Sequence, residues 1–139
     1  MNERLKQRLE NFEIKGMQRA FPQFKLFDGD GSYPFAPRGS VYWGGMLRTN
    51  NDKDYSVAVV YPVNWPDGAI RAYVRELMDV STPHKYNDGH LCLYSNDHPG
   101  GGGEGYVAGE TTAATIVAWT AAWLNAYEVY QSKGVWPGR

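Results

Sequence analysis

The chain holds one cysteine, Cys92, inside the stretch YNDGHLCLY (86–94), and its three histidines gather around it: His84 and His90 before, His98 after. An unperturbed thiol has a pKa near ~8.5, so a few per cent is thiolate at neutral pH, and that fraction is a strong nucleophile. One thiolate and three imidazoles would also suit zinc. The spacing argues against a metal, because His90 and Cys92 stand at i, i+2 and no CxxC or HxxxH pair exists. A cysteine phosphatase would need an arginine where His98 stands. Gly100, Gly102 and Gly105 formally satisfy G-x-G-x-x-G, but no clear strand leads into them and no Lys-Ser/Thr follows, so a flexible flap is the plainer reading and no cofactor is expected. A Cys-His hydrolase stays open, since it needs a base within hydrogen-bond reach and an oxyanion hole. The blandest reading is that a lone cysteine is a small buried hydrophobe. Against it stands the context, a long turn-rich loop beside an Asp88-Gly89 turn that requires positive φ.

The elements that must position this segment are legible on either side. Leu5, Leu9 and Phe12 repeat at i, i+4 and i+7 with charges between them, which predicts an amphipathic helix ended near Pro22. A short apolar run, Phe24 to Phe27, precedes the turn-dense DGDGSYPFAPRG. VYWGGMLRT (41–49) reads as a strand with a Gly-Gly bulge or bend. YSVAVVYP (55–62) is a β-branched strand, and AIRAYVREL (69–77) alternates Ile70, Ala72 and Val74 against Arg71, Tyr73 and Arg75, a strand with one wet face. From 79 to 110 the periodicity stops, and loops of that length inside a compact domain usually serve function. A helix over about 112–132 follows, capped by Thr111 or Thr112, striped with Ile116, Trp119, Trp123, Tyr127 and Tyr130, and stopped by Lys133-Gly134 and Pro137. The order predicts a single α+β domain over 1–139.

Composition limits the function classes. The net charge of −1 gives no field for nucleic acid or anionic lipid, so neither is expected as a partner. The 5 Trp and 10 Tyr point to aromatic packing and an adhesive surface. One cysteine makes no internal disulfide, so the fold does not depend on an oxidising compartment. MNERLKQRLENF has no apolar signal core, and no stretch approaches the roughly 20 apolar residues of a membrane span. A cytoplasmic protein is expected.

PHKYNDGHLCLY (83–94) resembles the active-site segment of ubiquitin-conjugating enzymes, in which His-Pro-Asn is followed by a short turn, often with Asp-Gly, then an aliphatic residue, Cys and Leu. Anchored on Cys92, the proline falls on Pro83 and the turn on Asp88-Gly89. YPVNWPDG (61–68) resembles the family's Tyr-Pro and proline-rich turn between its third and fourth strands, so the likeness covers nearly the whole chain. The family's Asn position is His84 here and its His is Thr82, and the chain stops soon after the crossing helix. With the ending TIVAWTAAWLNAYEVYQSKGVWPG, these departures resemble the bacterial stand-alone UBC-like proteins of CBASS antiphage operons.

The resemblance implies a UBC-like fold: an N-terminal helix, a four-stranded antiparallel meander, a long active-site loop with the cysteine and a crossing helix, with the family's last two helices absent. It implies that Cys92 is the nucleophile that carries an acyl group as a thioester. His84 would stand as oxyanion donor or loop support, and Pro83, Tyr86, Asp88 and Gly89 would shape the loop. Cys92 is expected partly exposed at the mouth of a shallow groove, with Leu91 and Leu93 anchoring it. Asp88, Asp97 and Glu104 are candidates to orient an incoming lysine. The implied partner is a protein whose C-terminus is activated, a cGAS-like CD-NTase, and an activating enzyme would supply the acylating energy if the partner does not arrive activated. A non-catalytic binding module of the same fold is the competing class.

Overall fold

The computed structural model describes residues 1–94 and 105–137. The N-terminal helical region runs as α1 (Glu3–Arg8), a π-helical turn (Leu9–Glu13) and α2 (Ile14–Ala20). Asn2 caps it by accepting from the Leu5 N–H at 2.7 Å. The π turn changes which face is buried. A wider turn rotates the chain less per residue, so Glu13 takes the place on the core stripe that a regular helix would give to Phe12. Leu5, Leu9, Glu13 and Met17 are buried, while Phe12 is 62 % exposed. The sequence stripe Leu5–Leu9–Phe12 therefore holds for its first two members only.

Four strands, β1 (Lys25–Asp28), β2 (Val41–Arg48), β3 (Asp54–Tyr61) and β4 (Arg71–Val74), form one antiparallel sheet in the order β1-β2-β3-β4. That is the expected meander. The expected bulge in β2 is not there: Gly44 pairs with Ala58 and Gly45 with Val57 in unbroken register. The glycine at 45 is needed because a Cβ there would lie 2.7 Å from the Phe24 ring. The fourth strand is shorter than the 69–77 alternation implies, since residues 75–77 close into a 3-10 turn. Its second face is also drier than expected, because Phe35 stacks on Tyr73 at 5.0 Å and Tyr73 is buried with Ala58 and Val60.

The other sheet face carries the main core. Val41, Trp43 and Leu47 of β2, Val57, Val59 and Tyr61 of β3, and Ala72 and Val74 of β4 pack under α3 (Ala113–Lys133) and the N-terminal helices. Thr112 caps α3 through its hydroxyl, which accepts from the Thr115 N–H at 3.1 Å. Gly134, left-handed at φ +77°, ends it. Both ends fall where the cap and stop residues put them. The buried face is broad, taking in Ile116, Val117, Thr120, Trp123, Leu124 and Tyr127.

Two buried carboxylates fasten the helices to the sheet. Glu13 Oε1 accepts from the Tyr61 hydroxyl at 2.6 Å and from the Ala113 N–H, the first turn of α3, at 2.8 Å. Tyr61 in turn accepts from Trp43 Nε1 at 2.8 Å. Glu128, near the other end of α3, accepts from the Tyr55 hydroxyl at 2.7 Å and from Asn51 Nδ2 at 2.9 Å.

Candidate active site

Residues 85–91 form a small hairpin laid along the edge of β4. Isolated antiparallel bridges join Tyr73 to His90 and Lys85 to Leu91. The turn is closed by the Gly89 N–H donating to the Tyr86 carbonyl and the Tyr86 N–H donating to the His90 carbonyl, both at 2.9 Å. Gly89 has φ +97°, as the Asp-Gly pair demands, and a Cβ there would also meet Met78 Cε at 2.6 Å. Glycine is doubly required.

Cys92 follows this hairpin. The Leu91 N–H donates to the Ala72 carbonyl at 3.0 Å and the Cys92 N–H donates to the His84 carbonyl at 2.9 Å. Leu91 and Leu93 are buried, as expected of anchors. The partly exposed thiol is not found: Cys92 is only 4 % exposed. Its backbone is held from both sides and its two leucine neighbours pull the segment inward, so the sulfur goes in with them. It remains on the wall of a cleft of about 430 Å³, shared with Ala69, Arg71, Tyr86, His90 and Tyr94.

His84 contributes to this geometry through its backbone. It is a non-glycine residue at φ +63°, a conformation that costs energy and persists only where the surroundings fix it. Its carbonyl accepts from Cys92 and also from Trp123 Nε1 of α3 at 2.9 Å. Its ring packs edge-on against Trp136, with centroids 4.7 Å apart. One residue thus ties the cysteine segment to the crossing helix and to the segment beyond it. Pro83 is exposed on the same turn and does not line the cleft.

In sequence Asp88 is a turn residue and a candidate to orient an incoming lysine, and His90 is a metal candidate; that the two are paired emerges only in the structure. Asp88 Oδ1 accepts from the His90 N–H at 3.0 Å and lies 2.5 Å from His90 Nδ1. Arg71 approaches Asp88 Oδ2 at 3.5 Å. Partial burial pushes the Asp88 carboxyl up, but the His90 N–H, the His90 ring and Arg71 outweigh it and hold the group below its ordinary value. The His90 ring stacks on Tyr86 at 4.2 Å and meets Tyr73 edge-on at 6.3 Å. The available signal was local, a D-x-H spacing across a glycine turn.

Tyr94 also lines the cleft, and Tyr106 packs against Tyr94. Their rings lie 5.0 Å apart, and both hydroxyls reach Ile70, Tyr106 accepting from its N–H at 2.9 Å and Tyr94 donating to its carbonyl at 3.4 Å. His98, Asp97, Glu104 and the glycines at 100 and 102 lie outside the described residues. Among the described residues no three His, Cys, Asp or Glu side chains cluster as a metal would require, and no helix is long and apolar enough to cross a membrane.

An α+β domain with an N-terminal helix, a four-stranded antiparallel meander and a helix across its inner face is consistent with the UBC-like class. The family model described as "Type II CBASS E2 protein" matches residues 13–139, and the chain belongs to that family. No curated protein and no solved structure matches it. Membership makes this an E2-like protein of antiphage defence that works with other CBASS proteins.

Proposed function

We propose that the protein is a cysteine acyltransferase in which Cys92 accepts the activated C-terminus of a CBASS partner, a cGAS-like CD-NTase, as a thioester and passes it to an amine. The carrying observation is that the chain's only thiol lines a cleft of about 430 Å³ within the segment that the family match spans. His84 supports the reading as a brace, because its carbonyl holds the Cys92 amide. A thioester carrier needs neither nucleotide nor metal of its own, since an activating enzyme or an already activated partner brings the energy.

The burial of Cys92 favours one second reading, a binding module that holds the partner without covalent chemistry. Intact mass of the protein co-produced with its operon neighbours separates the two. The carrier shows an adduct that a thiol reductant removes and that Cys92→Ala lacks. That variant should cost only about 1 kcal/mol, the scale of one buried methylene-sized group. Stable association without any reductant-sensitive adduct would establish the binding module instead.

A further inference from the structure

We propose that His90 is the general base that takes the proton from the amine attacking the Cys92 thioester, and that Asp88 is its positioning residue. The inference rests on the thioester reading above and adds the group that completes the step.

Four observations carry it. His90 and Cys92 flank Leu91, whose N–H donates to the Ala72 carbonyl and so anchors this stretch of backbone against β4. Both line the same cleft. Asp88 engages Nδ1, so proton exchange between the ring and the cleft runs through Nε2. The Tyr86 stack and the Tyr73 edge contact fix the ring plane.

In the step itself, the nitrogen of a neutral primary amine attacks the thioester carbonyl carbon. The N–C bond forms and the C–Sγ bond breaks. The amine proton passes to His90 Nε2 while Cys92 leaves as thiolate, and the imidazolium then returns that proton to Sγ. The charges facing His90 are Asp88 on its own hairpin and Arg71 on β4, which pairs with Asp88. The phenols of Tyr86 and Tyr73 also lie against its ring, and Cys92 lines the same cleft. The Asp88 carboxylate against Nδ1 stabilises the positive charge that develops on the ring as the amine proton arrives.

The test needs no partner. The single cysteine is acetylated with p-nitrophenyl acetate, and transfer to glycinamide is followed by intact mass across pH, with Cys92→Ser as blank. We expect wild-type transfer to inflect in the histidine range, and His90→Gln to lose the inflection and slow by about 10²-fold. Asp88→Asn should keep an inflection but move it to lower pH, which loss of mere packing would not do. Equal rates and equal profiles for wild type and His90→Gln would overturn the proposal. So would a native thiol that refuses the acetyl group while the urea-unfolded chain accepts it, because a cleft closed to this ester is closed to an amine. Histidine-dependent transfer combined with no adduct on the CBASS partner would retain the base and defeat the carrier reading alone.

Discussion

Glu13 and Asp88 do the same elementary thing in opposite settings. Each carboxylate accepts a backbone N–H and a second, side-chain contact: Glu13 from Ala113 and Tyr61, Asp88 from His90 and the His90 ring. Glu13 is 4 % exposed, whereas the Asp88 side chain is 49 % exposed. In the interior the donors that Glu13 satisfies have no water to fall back on, so the carboxylate holds the fold. At the surface water can replace most of what Asp88 supplies energetically, and what remains is orientation of the His90 ring. The same contact pattern serves architecture at one place and chemistry at the other.

Breaking the interior member should have the largest effect on stability. Glu13→Ala orphans the Tyr61 hydroxyl and the Ala113 N–H, and leaves Arg8, 3.6 Å away, without its counter-charge. We expect a loss of about 3–5 kcal/mol in urea unfolding, the usual result of removing one partner of a buried pair. Acetyl transfer from Cys92, measured at a temperature where the variant is folded, should be nearly unchanged. A variant of wild-type stability would mean that the π turn is held by its apolar neighbours alone.

Glu128 is the second interior carboxylate, and Glu128→Gln should cost less, about 1–3 kcal/mol, by turning an amide donor toward Tyr55 or Asn51. It also predicts a pH dependence. Burial pushes Glu128 up, but bonds from Thr49, Tyr55 and Asn51 and the charge of Lys53 outweigh it, leaving the folded-state pKa below 4.5. The unfolded chain then binds the proton more readily. The stabilisation is complete above about the unfolded value and is lost as pH falls through the folded one. Acid unfolding of Glu128→Gln should therefore be shallower than that of wild type between those limits, and equal slopes would remove Glu128 from the account.

The contrast also explains what the sequence could reveal. Elements set by local rules were legible: the meander by its β-branched runs, α3 by Thr112 and Gly134, the turn by Asp88-Gly89. Features set by tertiary contact were not. Phe12 and Glu13 exchange places because of one wide helical turn that no periodicity announces. Gly45 looked like a bulge because Phe24, its close neighbour, lies far back along the chain. Cys92 was placed by the resemblance, yet its burial follows from hydrogen bonds to Ala72 and His84 that only the folded chain brings near.

His84 lies between the two extremes, and two substitutions separate its backbone from its ring. Asparagine tolerates the left-handed conformation and valine does not. His84→Asn should keep the carbonyl on Cys92 and Trp123 while losing the ring contact with Trp136. His84→Val should cost about 1–3 kcal/mol through strain and slow acetyl transfer by releasing the Cys92 segment. If the two variants transfer alike and both are slowed by roughly 10²-fold, the ring itself is the oxyanion donor and the brace is incidental.

The smallest stability change belongs to Asp88, and that smallness is what the comparison requires. Its partner Arg71 is itself 48 % exposed, and such pairs contribute little in solution. The backbone N–H of His90 can be satisfied by an asparagine oxygen at the same place. Asp88→Asn should therefore melt within about 0.5 kcal/mol of wild type, the ordinary range for a surface change. The sign of its pH effect is fixed by the lowered Asp88 pKa: whatever stability the carboxylate gives is present above the unfolded value and lost below the folded one. Urea unfolding at neutral and at acid pH checks both points. A loss comparable to that of Glu13→Ala would place Asp88 among the structural carboxylates, and a histidine held by a structural carboxylate would no longer be a reason to expect proton transfer beside Cys92.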